Sequence, residues 1–390
     1  MPKIRPSDAY QNSINIPVYS NASYYFTSKD EVKKGLHDRS ISVGRYGRYN
    51  NPTWVHVENR LTEINNSEDT LLFASGMAAH FTAFISLLKA GDHVIFPAEC
   101  YRQVRNIFLK ILPGLGVIAH ELSIINPEKF VAGVRELSQK HDIKLVHLEM
   151  PSSPHMYLID IEAVRAALSP DVVITMDSSF SPPPNFYALK WGVDLAIFSA
   201  TKYLNGHGDI MAGLVTGKKE LIDKITWYRD TTGAIADGYV ASQLNRSLHT
   251  LRLRVEAINK MGMKVAQFLA THPKVESVLY TGLKTHPHYD LGRKYLNGHG
   301  GVITFTLPIN EQKTADFVDR LKKPYMASNF GAPQTLVEQS TYFTYFEYSK
   351  EELDNIGVSY GTVRLALGYI DDVDEIIEDL NQALAVPADE

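Results

Sequence analysis

Cysteine is almost missing from this chain: Cys100 stands alone among 390 residues. An intramolecular disulfide and any zinc site built on paired thiolates are therefore excluded. Long apolar runs are missing as well. No window approaches the roughly 18 apolar residues of a membrane span, and Met1-Pro2-Lys3-Ile4-Arg5-Pro6 lacks the apolar stretch of a signal peptide, so a cytoplasmic protein without a membrane partner is expected. Positive charge is not in excess. With 39 Lys and Arg against 44 Asp and Glu, a net charge of -5, there is no basic patch for nucleic acid. Clustered metal ligands are lacking too: His286-Pro287-His288 is the only close histidine pair, and no acidic cluster accompanies it. No metal is expected, and small-molecule chemistry is the default.

What is present is ordinary globular composition, 44% hydrophobic and 21% charged, in a chain long enough for one large domain and a smaller one. Residues 1–60 are polar and rich in Tyr, Asn and Ser, an arm with no core of its own that must lie across another surface. Residues 61–250 begin with alternating short apolar strands and helices, the pattern of an α/β domain with a mainly parallel sheet. One long helix is expected from Val240 to Leu269. Residues 251–390 read as a smaller α+β domain, with a strand over Gly301–Thr306 and a last strand-helix pair. No repeat or low-complexity segment interrupts this order.

The chemistry concentrates in Phe198-Ser199-Ala200-Thr201-Lys202-Tyr203-Leu204-Asn205-Gly206-His207-Gly208-Asp209, directly after the apolar run Val193–Phe198. A lysine at the end of a buried strand is partly desolvated, which favours the free amine that condenses with an aldehyde. Ser199 and Thr201 offer hydroxyl donors to an anion. Lysine, aldehyde and phosphate together suggest pyridoxal phosphate, although a lysine at a strand end is more often a surface residue. A second anion seat is Ser75-Gly76-Met77, where the strand Thr70–Ala74 enters a helix and the helix N-terminus presents free N–H groups.

After the strand Asp92–Pro97, Tyr101 stands at the mouth of the following loop and can stack on a flat ring or simply pack. A helix is expected from Gln103 to Leu112, and Cys100 fills space. Asp177 ends the strand Val172–Asp177, 25 residues before Lys202, so both can face one pocket at the strand ends, where ligands of such sheets bind. A carboxylate there either caps a turn or holds a pyridine nitrogen protonated. Arg364, alone in the apolar run Thr362–Gly368, needs a carboxylate, and an internal partner is the first expectation, a substrate's the second. Tyr46 and Arg48, within Arg45–Thr53, bind an anion or form a solvated turn.

Taken together, Tyr-x-Arg-x-x-Asn-Pro-Thr, Ser-Gly-Met, Asp-x-x-Phe, Ser-Ala-Thr-Lys-Tyr, Gly-His-x-Asp, Arg-x-Leu-x-Thr-Leu and Val-Arg-Leu follow one another over about 320 residues. In order and spacing they resemble the cystathionine γ-synthase, cystathionine γ-lyase and methionine γ-lyase family. The resemblance implies a pyridoxal 5'-phosphate-dependent transferase of fold type I, aspartate aminotransferase-like. It implies that Lys202 carries the cofactor and moves protons, that Tyr101 stacks on the ring and serves as acid or base, and that Asp177 pairs with the ring nitrogen. Gly76, Met77, Ser199 and Thr201 would hold the phosphate from one subunit, and Tyr46 and Arg48 from the neighbour. The active unit would then be at least a homodimer, with a tetramer usual in the family. Arg364 would grip the substrate's α-carboxylate.

Departures from the family pattern fall around the substrate. Tyr-Gly-Gly-Thr is here Tyr101-Arg102-Gln103-Val104, the asparagine that approaches the cofactor's O3′ is Ser153, and Ser-Leu-Gly-Gly is Asn329-Phe330-Gly331-Ala332. Met-Thr-His is Phe343-Thr344-Tyr345, and Arg-Leu-Ser is Arg364-Leu365-Ala366. Arg102 and Asn329 thus become candidate substrate contacts, and the expected substrate carries a different or more polar Cγ substituent. The expected activity is a carbon–sulfur or carbon–heteroatom lyase, eliminating the Cγ substituent of an L-amino acid to give a 2-oxo acid and ammonia. The alternatives are γ-replacement by a synthase or sulfhydrylase, β-elimination from cystathionine, and a cofactor-binding protein without turnover.

Overall fold

The computed structural model describes residues 15–35 and 46–385, so residues 1–14 and 36–45 of the expected N-terminal arm, Arg45 among them, lie outside the described residues. Seven strands form the larger sheet: β1 Asp69–Phe73, β2 His93–Pro97, β3 Ile118–Leu122, β4 Ile143–Glu149, β5 Val173–Asp177, β6 Leu195–Ser199 and β7 Gly213–Gly217. Their order is β1-β7-β6-β5-β4-β2-β3. β2 to β6 pair in parallel, and β7 runs antiparallel to both β1 and β6.

The strands read as continuous apolar runs because both faces of the sheet are covered. Alternate residues divide between two cores. Ile95, Val146, Leu148, Ile174 and Phe198 point to one face, packed by Trp54, Val57 and Leu61 of the helix Pro52–Asn65. Val94, Phe96, Leu145, Leu195 and Ile197 point to the other, against Ala79, Ala83 and Phe84 of the helix Gly76–Leu87.

A second sheet follows in the chain, from β8 Ser277–Leu279, β9 Val302–Thr306, β10 Tyr325–Met326, β11 Leu336–Gln339 and β12 Thr362–Ala366, in the order β10-β11-β12-β9-β8. Val265 and Leu269 of the helix Leu251–Thr271, with Leu380 and Leu384 of the helix Val373–Ala385, cover one of its faces together with Ile303, Phe305 and Val363. Among the described residues no helix is long and apolar enough to cross a membrane.

Two expected helices are corrected. The run from Val240 to Leu269 is two helices, Gly238–Leu248 and Leu251–Thr271. The Ser247 carbonyl is taken by the Thr250 N–H at 3.2 Å and by Arg254 Nη2 at 2.9 Å, which tightens the chain into a turn between them. The helix expected over Gln103–Leu112 is α-helical only over Arg102–Asn106 and widens into a π-turn over Ile107–Ile111.

The break between the two long helices bears on the lysine loop. Arg254 donates from Nη1 to the Tyr203 carbonyl at 2.7 Å and from Nη2 to the Leu204 carbonyl at 3.2 Å, so one buried guanidinium clamps the turn after Lys202. Gly206, at φ +74°, has no room for a Cβ, which would lie 1.8 Å from Arg254 Nη1. Asn205 and His207 complete the clamp: Asn205 Oδ1 accepts from Ser247 Oγ at 2.9 Å, Asn205 Nδ2 donates to Asp209 Oδ1 at 2.9 Å, and His207 Nδ1 lies 2.7 Å from the Asn205 carbonyl and 3.1 Å from Ser247 Oγ.

Candidate active site

The C-terminal ends of β2, β4, β5 and β6 open into a cavity of about 280 Å³. Lys202 reaches it from a tight turn just past β6, closed by hydrogen bonds from Lys202 N to the Ser199 carbonyl at 3.2 Å and from Gly206 N to the Lys202 carbonyl at 2.7 Å. Its ammonium donates to Asn329 Oδ1 and lies 4.9 Å from the centre of the Phe330 ring, which stacks on Phe180 at 3.9 Å. Burial, and then the Arg364 guanidinium, push its pKa down from 10.5 to about 8. The free amine is thus half-populated near pH 8. In the apoenzyme the rate at which Lys202 condenses with an added aldehyde cofactor is expected to rise with pH and level off above about 8. A stopped-flow pH profile checks this, and a midpoint near 10.5 would show that the amine is open to water.

Opposite the lysine, Asp177 ends β5. Burial works to raise its pKa, but the ring of His80 and the Ser179 N–H, which donates to Oδ1 at 2.8 Å, prevail and hold the carboxyl below its usual range. His80 Nε2 is 3.2 Å from Asp177 Oδ2, within ion-pair distance although out of line for a hydrogen bond, while His80 Nδ1 contacts the Gly76 carbonyl at 2.9 Å. Across the β4–β5 register from Asp177 stands Glu149. Burial and the neighbouring Asp177 charge raise its pKa well above the carboxylate range, so one carboxylate of the pair is ionised and the other holds its proton. Glu149 Oε2 accepts the Tyr101 N–H at 2.7 Å and fixes the backbone of that tyrosine. The Tyr101 phenol, half-exposed at the mouth, is raised by burial and keeps its proton.

The anion seat forms where the helix Gly76–Leu87 points its N-terminus at the cavity. Ser75 caps it, its Oγ accepting from Ala78 N at 3.1 Å, and the N–H groups of the first turn have no intrahelical partner. A Cβ on Gly76 would meet Cα and Cβ of Ser199 at 3.0 Å, so glycine lets helix and β6 close around one small volume. Met77, Ser199 and Thr201 line that volume, and the Thr201 hydroxyl already takes the Ala212 N–H at 3.0 Å.

Arg364, on β12 of the smaller sheet, reaches across to the same cavity. Its Nη2 pairs with the buried Glu338 at 3.0 Å and its Nη1 donates to Ser153 Oγ at 3.0 Å. The internal carboxylate therefore exists, and the guanidinium still lines the cavity. Arg102 also lines it, but is turned outward to Glu347 Oε2 at 2.6 Å and lies over Phe346 at 5.2 Å.

Most of the residues singled out in the sequence therefore meet in one place: Gly76, Met77, Tyr101, Arg102, Ser153, Asp177, Ser199, Thr201, Lys202 and Arg364 all line the cavity, and Asn329 touches its lysine. Tyr46 and Arg48 do not. They line a separate concavity beside Asn51 and Gly233, where Arg48 donates to the Asp230 carbonyl and lies 4.5 Å from the Tyr49 ring. His80, Glu149 and Glu338 join the site without having been candidates in the sequence. His80 lies one helical turn below Gly76, and Glu149 ends its strand as Asp177 does, so both carried a signal. Glu338 carried none, because only the pairing of β11 with β12 sets it opposite Arg364.

A free amine, an ionised carboxylate facing it and an unsatisfied helix N-terminus around one small volume suit an aldehyde, a pyridine nitrogen and a phosphate, and define a pyridoxal phosphate-dependent enzyme. The chain belongs to the Cys/Met metabolism PLP-dependent enzyme family, whose pattern matches residues 3–385. It is 33% identical to cystathionine gamma-synthase 1, chloroplastic, of Arabidopsis thaliana over 96% of this chain and 65% of that protein, so it spans just under two thirds of this relative's length. It is 32% identical to L-methionine gamma-lyase of Fusobacterium nucleatum over 95% of this chain and 93% of that enzyme. The crystal structure of cystathionine gamma synthase from Xanthomonas oryzae pv. oryzae, in complex with aminoacrylate and cysteine, superposes with a TM-score of 0.88 at 25% identity, covering 96% of this chain and 93% of the other.

Proposed function

We propose that this enzyme removes the Cγ substituent of an L-amino acid, consuming one water and giving a 2-oxo acid and ammonia. The observation that carries the reading is the buried Lys202 amine set in one cavity with Asp177 and Arg364, its pKa pushed down to about 8 by burial and then by Arg364. When bound, pyridoxal phosphate supplies a sink for the electron pairs released at the substrate's Cα and Cβ. Lys202 takes the Cα proton and returns it elsewhere, because a side chain with four rotatable carbons reaches several substrate atoms and its amine titrates near working pH. Tyr101 would stack on the bound ring, and its phenol, kept protonated by burial, would donate a proton to the departing group.

Asp177 would pair with the ring nitrogen of the bound cofactor. Gly76, Met77, Ser199 and Thr201 would hold its phosphate, and Tyr46 and Arg48 would reach the phosphate of a second copy, in a working unit that is a homo-oligomer of at least two chains. Arg364 takes the α-carboxylate, with Ser153 at its side and Glu338 behind it fixing the plane of the fork. Asn329 holds the lysine amine in place. The partition into an arm over 1–60, a cofactor domain over 61–250 and a C-terminal domain over 251–390 belongs to the same reading, as does a cytoplasmic setting.

Replacement of the Cγ group by a thiol is the second reading. It is favoured by nearly equal identity to a protein named a synthase and one named a γ-lyase. Product analysis by NMR separates them. With L-cystathionine alone, 2-oxobutyrate supports γ-elimination and pyruvate would move the reaction to Cβ. Cystathionine made from an O-acyl-homoserine and cysteine would make the enzyme a synthase.

Arg102 and Gln103 stand where smaller residues are usual, and Arg102 is pinned at the mouth by Glu347. The double substitution Arg102→Gly, Gln103→Gly is expected to change kcat/KM ratios across a panel of Cγ-substituted amino acids by about tenfold, the worth of one charge-assisted contact. An unchanged ranking would remove these residues from substrate recognition.

A further inference from the structure

Three histidines far apart in the chain meet by the starts of β2 and β4, away from the strand ends that open into the cavity. His93 opens β2, His120 lies in β3, and His141 follows the helix Pro127–Lys140 just before β4 begins. β2 and β3 pair in parallel with His93 opposite Ile118, so His93 and His120 leave the same face of the pair two residues apart. The register of β2 against β4 shifts at His93/Val94, an irregularity of the kind that re-aims a side chain. His93 Nδ1 lies 2.9 Å from His120 Nε2, and the His141 ring lies 4.5 Å from the His93 ring and 5.0 Å from the His120 ring.

One ring nitrogen from each residue falls within 4.8 Å of the other two, and all three side chains are half-buried. A tetrahedral ion with imidazole bonds of about 2.0–2.1 Å separates its ligand nitrogens by about 3.3 Å, a little more than the 2.9 Å between His93 and His120 and inside the 4.8 Å that bounds the set. The three rings lie stacked, 13° to 23° from parallel, and turn about their side-chain bonds to aim their lone pairs at one point.

We propose that His93, His120 and His141 form a binding site for a divalent transition ion of the zinc or copper class, separate from the pyridoxal phosphate site. Imidazole donors suit zinc, copper and nickel rather than calcium or magnesium. Binding breaks the hydrogen bond between His93 and His120. The ring that donates it moves that proton to its other nitrogen, so both facing nitrogens become ligands and no redox change is required. Half-burial leaves a fourth position for water. Because the cluster joins the starts of β2 and β4 to the edge strand β3, the ion ties down the exposed side of the sheet.

The test uses the full-length holoenzyme without a polyhistidine tag, freed of metal by a chelator and titrated with zinc chloride by calorimetry. One zinc per chain is expected, with affinity lowered at least about tenfold in His120→Gln and in His141→Gln while the cofactor absorbance stays unchanged. No stoichiometric binding by the unaltered protein, or equal binding by the variants, overturns the site. Should the variants lose their cofactor, anomalous scattering at the zinc edge from crystals of the unaltered protein decides: a peak among the three rings supports the site, and its absence there overturns it.

Discussion

Lys202→Ala is expected to lower the rate of oxo-acid formation by about 10⁴-fold or more, because in the proposed function one substitution removes both the amine that takes the cofactor aldehyde and the base that moves protons on the substrate. The cost should fall on kcat. Arg364 and Ser153, the carboxylate site proposed above, remain in place, so KM should move little. Borohydride reduction of the native holoenzyme should leave a covalent adduct on the peptide containing Lys202, and none in the variant. A rate within tenfold of the unaltered enzyme, or an adduct on another lysine, would refute the assignment. Folding should survive, because the neighbouring clamp is made by Arg254 and backbone carbonyls rather than by the amine. An unchanged far-UV spectrum checks this.

Asp177→Asn should be the second most damaging change, lowering kcat by about 10² to 10⁴-fold, the range seen when a buried orienting carboxylate loses its charge. Against the opposing effect of burial, His80 and Ser179 keep Asp177 ionised, and the amide has the same shape without the charge. The effect should spread beyond the ring nitrogen. Asp177 is one of the two causes that raise Glu149, so its loss should lower the Glu149 pKa and weaken the preference for the protonated form. The measurement is steady-state kinetics together with the cofactor's absorbance as a function of pH. A variant with normal kcat would show that some other group charges the ring.

The sign of the pH dependence follows from the same groups. The folded-state pKa of Asp177 is lowered, so its contribution to stability is present above the range of an unfolded carboxylate and is lost as pH falls through the lower folded value. Glu149 is raised, and its contribution runs the other way: full in acid and lost as pH rises through its folded value. The two oppose one another between these limits, which keeps this part of the site from fixing a sharp acid limit.

The sequence by itself determined what depends on short stretches. Residues with a strand period or a helical start signal, such as Leu195–Ser199 before Lys202 or Ser75 before Gly76, fold by their neighbours, so the strand-end lysine and the helix N-terminus were legible. The same holds for Asp177, because strands in parallel sheets end on one side and their last residues share it. Ordered motifs across the chain then supplied the family, confirmed by the match over residues 3–385.

Tertiary structure alone decided what depends on partners distant in the chain. Glu338 stands behind Arg364 because β11 and β12 are in register. The helix expected to run unbroken to Leu269 turns after Leu248 because Arg254 takes a carbonyl that helix continuation would use. Arg102 turns to Glu347, 245 residues away. His93, His120 and His141 form no motif in the sequence, yet the parallel pairing of β2 with β3 and the start of β4 set them side by side. Local sequence fixes the direction in which a side chain leaves its own element; what it meets is set by sheet order and register, which arise only when the whole core packs.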